Sequence, residues 1–135
     1  MSDAVIVSTA RTGLAKSWKG SFNMTHGATL GGHVVKHAVE RAKIDAAEVE
    51  DVIMGCALPE GATGSNIARQ IALAAGLPVT VPGHTTSRFC ASGLEACNQA
   101  AAQVMSGQAD LVVAGGVESM SRVPMFSSGG AWPID

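Results

Sequence analysis

The sequence is poor in charge. Asp, Glu, Lys and Arg make up 15% of its 135 residues, against about 25% in an ordinary soluble domain. The net charge is −2 and the basic residues are scattered, so there is no basic face of the kind non-specific nucleic-acid binding requires. No run approaches the roughly 20 apolar residues of a membrane-spanning helix, so neither nucleic acid nor membrane is expected as a partner. Met1-Ser2-Asp3 passes directly into a strand-like run, and no signal peptide is visible. The cysteines are few and odd in number, three without paired spacing, which excludes a disulfide scaffold and points to a reducing, cytoplasmic setting.

What is present is largely apolar. Hydrophobic residues account for 47% of the chain, enough at this length for one domain with a real core. With so few charges, part of the surface is expected to be covered by further chain, a partner subunit or both.

Strand-like and helix-like stretches alternate, which predicts an α/β sheet with parallel pairs. Ala4 to Ser8 (Ala-Val-Ile-Val-Ser) reads as a strand buried on both faces. His26 to Lys43 follows a helical period, with Leu30, Val34 and Ala38 on one stripe and charged or His residues over much of the rest. Asp45 with Glu48 fits a variant capping box for one short turn. Asp51 to Ala57 reads as a second buried strand, and Ile67 to Ala75 as a helix capped by Ser65 or Asn66 and ended at Gly76-Leu77-Pro78. Thr80 to Arg88 is weakly strand-like, and Pro82 confines it to a sheet edge or a strand start. Cys90 to Ser106 is the third helix and Asp110 to Gly116 a further strand; everything after Glu118 reads as loop.

The third helix carries the most information. Between Phe89 and Ala109 its only charge is Glu95, and alanines at 91, 96, 100, 101 and 102 leave several faces without bulk. A helix lacking a polar side is expected to be enclosed by protein. The present chain holds too little material to enclose it and is expected to be incomplete.

Ser87-Arg88-Phe89-Cys90-Ala91-Ser92-Gly93-Leu94 places a cysteine where a strand turns into that helix. Unpaired N–H groups and the partial positive charge of a helix start favour thiolate over thiol. The thiolate is a nucleophile, and the same N–H groups suit the oxyanion of an attacked thioester. Gly93 is expected to let another segment approach the first turn. A structural reading is also open, because Cys90, Leu94, Cys97 and Ala101 form an apolar helical stripe and inert buried cysteine is common.

The segment Ser-Arg-Phe-Cys-Ala-Ser-Gly-Leu-Glu-Ala resembles the surroundings of the acyl-accepting cysteine of thiolases (acetyl-CoA acyltransferases). Other stretches agree in order and spacing: Ala4 to Gly13; Asn66-Ile67-Ala68-Arg69-Gln70 with Ala74 to Pro78; and Ala114-Gly115-Gly116-Val117-Glu118-Ser119-Met120-Ser121. The likeness covers essentially the whole chain. One departure is Ser87, where the family usually has Asn; the smaller side chain is expected to loosen local hydrogen bonds.

The resemblance implies a thiolase-like layered α/β fold, with a mixed, mostly parallel sheet and a buried nucleophile-bearing helix, of which only the N-terminal half-fold is present. Residues 1–118 would form an incomplete N-terminal domain and 119–135 the start of a truncated loop region. Cys90 is implied as the catalytic nucleophile of an acyl-CoA C-acyltransferase, moving an acyl group between its sulfur and coenzyme A in 3-ketoacyl-CoA cleavage or acetyl-CoA condensation. Its backbone N–H would contribute to an oxyanion hole. Coenzyme A thioesters are implied as substrates with no bound cofactor, and a homo-oligomer, dimer or tetramer, as the assembly. The family's activating histidine, second cysteine and Asn-containing loop have no counterpart here, so the chain alone is expected not to turn over substrate. The coenzyme-contacting loop is expected near or beyond Asp135, and no residue is assigned to coenzyme binding.

Other candidates are weaker. His33 and His37 share a helix face but lack a third ligand, and no metal site is expected. His26 and His84 are placed in loops, while Cys56 and Cys97 read as core thiols. Asn66 and Arg69 resemble family positions near the subunit contact, and a simple helix start accounts for them equally well. Two alternatives accompany the thiolase reading: a non-catalytic binding or assembly module with this fold, and a ketoacyl synthase relative. The Gly-Val-Glu-Ser-Met-Ser run favours thiolase over the latter.

Overall fold

The computed structural model describes residues 3–123. A three-stranded, fully parallel sheet lies at its centre, built from β1 (Asp51–Gly55), β2 (Gly83–Thr86) and β3 (Val112–Gly116) in the order β2-β1-β3. The helices are α1 (Gly27–Ala42), α2 (Ile67–Ala74) and α3 (Ser92–Ser106). β1 sits in the middle, paired Ile53 to His84 on one side and Ile53 to Ala114 on the other. That position explains its continuous apolar run: Val52, Ile53 and Met54 are all buried.

Alternate residues of β1 face different layers, as the period of two requires. Val52 and Met54 join a core with Val35 and Val39 of α1 and Ile67 and Ile71 of α2. Ile53 points the other way, onto Ala96 and Ala100 of α3, with Val112 and Ala114 beside it. The molecule is therefore a helix–sheet–helix sandwich, with α1 and α2 on one face and α3 on the other. β2 lies at an edge of this sheet and Pro82 directly precedes its first residue, so both places open to a proline are met.

Local chemistry sets the element ends. His26 Nδ1 accepts the Ala28 N–H at 3.1 Å and caps α1, so His26 is a helix cap rather than an isolated loop residue. Asp45 Oδ1 accepts the Ala47 N–H at 2.9 Å and opens one 3-10 turn over Ala46–Glu48. Asn66 precedes α2, but its side chain does not cap it. Its Nδ2 donates to the Gly83 carbonyl at 2.7 Å and its Oδ1 accepts from Thr85 at 2.9 Å. Arg69 donates to the carbonyls of Val81 and Val79. Asn66 thus binds the start of α2 to β2, and Arg69 binds it to the residues just before that strand, which a helix start alone does not require.

The buried stripe of α1 differs from the expected one. Gly27, Gly31, Gly32, Val35 and Val39 are buried, whereas Leu30, Val34 and Ala38 are only half-buried. The cause is close approach to α2. A Cβ on Gly31 would collide with the Ile71 side chain, and one on Gly32 would lie 2.8 Å from the Ala74 Cβ. Residues without bulk make this contact, so a pattern of bulky apolar positions points one residue away.

Residues 4–8 also depart from expectation. They form no strand and pair with none among the described residues, and Val5, Ile6 and Val7 are 74%, 85% and 66% exposed. Arg41 Nη1 holds the following Thr9 carbonyl at 2.8 Å. An apolar run of this kind suits a strand covered on both faces, and no covering layer occurs among the described residues. The expected loop after Glu118 continues to Val123; its remainder lies outside the described residues.

Candidate active site

The carboxyl ends of parallel strands are where α/β folds collect their chemistry, because the loops that follow are free to vary while the sheet holds them in place. Here three such ends lie side by side: Gly55-Cys56-Ala57 after β1, Thr86-Ser87-Arg88 after β2, and Gly116-Val117-Glu118 after β3. Cys56 N–H donates to the Thr86 carbonyl at 3.0 Å and Val117 N–H to the Gly55 carbonyl at 3.0 Å, so the ladders extend past the strands themselves.

Cys90 stands in the turn that leaves this edge. It lies in a 3-10 turn, Phe89–Ala91, and α3 begins two residues later at Ser92. The expected α-helical first turn at Cys90 is thus a tighter turn continuous with the helix. Phe89 has φ of 48°, the left-handed region that a bulky L-residue occupies only under strain. Such strain marks a forced change of direction, and Cys90 is the next residue. The thiol is exposed rather than sealed among apolar side chains.

Ser92 holds this turn together. Its hydroxyl accepts the Arg88 N–H at 2.8 Å and donates to the Phe89 carbonyl at 2.6 Å, and the residue is 3% exposed. Glu95, the sole charge expected in α3, takes Arg88 Nε at 3.2 Å and Gln99 Nε2 at 3.0 Å. Hydroxyl and carboxylate together fasten the residues before Cys90 to the helix after it.

The floor beneath α3 is glycine. A Cβ on Gly55 would fall inside the van der Waals envelope of the Ser92 carbonyl and 2.5 Å from the Gly93 nitrogen. Gly93 itself, expected to be the residue that permits close approach, has open space where its side chain would be. The contact is real, but the strand supplies the missing side chain.

Ser87, the departure from the family pattern, is bonded: its hydroxyl donates to the Ala57 carbonyl at 3.2 Å. Cys56 is buried as expected. Burial pushes its thiol pKa up, and the Glu118 carboxylate beside it adds to that, so Cys56 is held as the neutral thiol. Cys97 reads from the sequence as a core thiol but is exposed. One residue on from Ala96, it is turned about 100° from the sheet-facing stripe, toward the side opposite the sheet. That side, with Leu94 68% exposed and Met105 44% exposed, is open, so the helix is buried on one face rather than all round.

The histidines do not gather at this edge. His33 and His37 meet edge to face on α1 with ring centroids 4.4 Å apart, and His37 Nδ1 lies 3.1 Å from Glu40. No group of three His, Cys, Asp or Glu side chains able to hold a metal occurs among the described residues. His84 is in β2 rather than a loop and lines a shallow groove of about 530 Å³ with Gln99, Gln103 and Ser106, farther along α3. No helix among the described residues is long and apolar enough to cross a membrane.

Sequence reasoning missed Ser92, Gly55 and Glu118. A glycine inside an otherwise apolar strand was a usable signal for Gly55. The partners of Ser92 and Glu118 are set by tertiary geometry.

Comparison with known proteins accords with this architecture. The family model described as "Thiolase, N-terminal domain" matches residues 4–132. A 3-ketoacyl-CoA thiolase of Bacillus subtilis is 47% identical over 126 residues, covering 93% of this chain and 32% of that protein. An acetyl-CoA acetyltransferase of Cupriavidus necator is 48% identical over 124 residues, covering 92% of this chain and 31% of that protein. Among solved structures, Acat5 thiolase from Ascaris suum in complex with coenzyme A superposes with a TM-score of 0.87 at 33% identity, covering 98% of this chain and 34% of that one. The chain thus spans about a third of the length of these relatives.

Proposed function

The chain belongs to the thiolase family, and from that premise we propose that it supplies the acyl-accepting nucleophile, Cys90, of an acyl-CoA C-acyltransferase. The observation that carries this reading is an exposed thiol in a strained turn at the carboxyl edge of the sheet, leading directly into α3. That turn lies within the run that resembles the acyl-accepting segment of the family.

In the cleavage direction the Cys90 sulfur attacks the ketone carbon of a 3-ketoacyl-CoA. The bond between that carbon and the neighbouring α-carbon breaks, its electron pair is protonated, and acetyl-CoA departs. The shortened acyl group stays on Cys90 as a thioester until the thiol of free coenzyme A takes it and the cysteine sulfur is released. Condensation is the same sequence reversed, with an acetyl group on Cys90. The groups that move the protons belong, on the family resemblance, to the part of the relatives that this chain does not span. Turnover is therefore a property of the full-length protein, and the same holds for a homo-oligomeric assembly and a cytoplasmic location.

Alkylation tests the site without turnover. In the full-length protein iodoacetamide should modify Cys90 first near neutral pH, and Cys56 last because it is buried and held protonated. Prior incubation with acetyl-CoA should slow modification of Cys90 and leave that of Cys97 unchanged. Equal protection of Cys90 and Cys97, or of neither, contradicts the assignment.

A further inference from the structure

Glu118 is exposed and not paired with a cation among the described residues, yet each of its carboxylate oxygens has a protein donor. Oε2 accepts the Ala57 N–H at 2.7 Å, and Oε1 accepts the Cys56 thiol at 3.7 Å. A carboxylate spanning two strand ends on one backbone N–H and one buried thiol is an unusual use of charge, since most exposed carboxylates remain in water. Ala57 is held through its following peptide as well. The Ala57 carbonyl accepts the Ser87 hydroxyl, and Ser87 directly precedes Arg88, whose N–H is held by Ser92. The end of β3 is thereby connected through the end of β1 to the loop leaving β2, on which Cys90 sits.

We infer that Glu118 is a positioning residue for the nucleophile: by anchoring Ala57 through its N–H it steadies the Ala57 carbonyl that holds Ser87, and with it the entry to the turn that carries Cys90. This rests on Cys90 being the acyl acceptor. The alternative is that Glu118 merely braces two loops. The two differ in what they predict, because misplacing a nucleophile by about 1 Å lowers rate up to about 100-fold, whereas bracing affects only stability.

The test uses the full-length protein with acetyl-CoA as the probe and the rate of acyl-enzyme formation as the readout. Glu118→Ala should slow acylation about 10- to 100-fold with KM for the thioester little changed. Glu118→Gln, which retains one oxygen to accept the Ala57 N–H, should recover most of that rate. Ser87→Ala should show a smaller loss of the same kind, and the double variant Ser87→Ala with Glu118→Ala should lose no more than Glu118→Ala alone, as expected for links of one chain. Acylation by Glu118→Ala at the parent rate overturns the proposal, as do fully additive losses in the double variant. If Glu118→Ala fails to fold, the Gln variant decides: a loss as large as that of Cys90→Ser assigns Glu118 a direct chemical part and contradicts positioning. Failure of the Cys90 assignment is recognised separately, by acylation that persists in Cys90→Ser.

Discussion

Replacing Cys90 by serine in the full-length protein should abolish the acyl-enzyme and lower turnover by at least about four orders of magnitude, the scale on which removal of a covalent nucleophile acts in other enzymes. A serine hydroxyl has nearly the same shape and fits the same exposed turn, so folding should be untouched. The chemistry is what changes. Sulfur is an intrinsically strong nucleophile that readily yields a thiolate, while an alkoxide is essentially absent without a dedicated base. Turnover and intact-protein mass with a 3-ketoacyl-CoA measure the effect, and thermal denaturation shows that the fold is retained. Cys97→Ser provides the contrast. Cys97 is exposed on α3, two turns on from Cys90, and its loss should leave acylation unchanged.

Gly55→Ala should be the most damaging substitution of a residue that touches no substrate. Its added methyl group would occupy the place of the Ser92 carbonyl and press on the Gly93 nitrogen, both backbone atoms that cannot swing aside. Either β1 or the start of α3 has to move. Ile53, on the same face of β1, packs against Ala96 and Ala100 of that helix, so the shift spreads into the core. Overpacking of this kind costs about 3 kcal/mol at the upper end of its usual range, which corresponds to a drop of several degrees in Tm. Whatever protein folds should acylate slowly, because the segment pushed away begins two residues after Cys90. Gly116→Ala is the control, since a Cβ there meets the Gly55 oxygen and the Gly93 Cα at an ordinary 3.5 Å, and its melting temperature should stay near the parent value. Equal effects of the two substitutions would show that the glycine floor beneath α3 does not set the position of the turn.

Much of this architecture is legible before any coordinates, and what is not has identifiable causes. The central strand announces itself because Val52, Ile53 and Met54 are apolar without alternation, as burial on both faces demands. Asp45 and Gly76 mark element ends by their local chemistry, and Pro82 marks an edge or a strand start because it cannot donate to a ladder. Cys90 stands out by its place between strand and helix. Legibility ends where the decisive neighbour is remote in sequence. Gly31 and Gly32 form the closest face of α1 because of Ile71 and Ala74, so the bulky stripe beside them misdirects. Close approach to α3 is readable as an expectation, but Gly93 draws the eye while Gly55, far away in the chain, supplies the space. The exposed position of Cys97 follows from which side of α3 the sheet occupies, and its small apolar neighbours do not reveal that. Val5, Ile6 and Val7 carry the pattern of a covered strand, while their exposure reflects the absence of a cover among the described residues. The connection from Glu118 through Ala57 to Ser87 joins three strand ends that only the sheet order brings together.

The most direct test of the account is to quench the full-length protein with acid shortly after mixing with acetyl-CoA, digest it and locate the added acetyl group by mass spectrometry. The account predicts an acetyl thioester on the peptide containing Cys90, lost on addition of free coenzyme A. An acetyl group on Cys56 or Cys97 instead, or none on any cysteine of a protein that turns over, would contradict it.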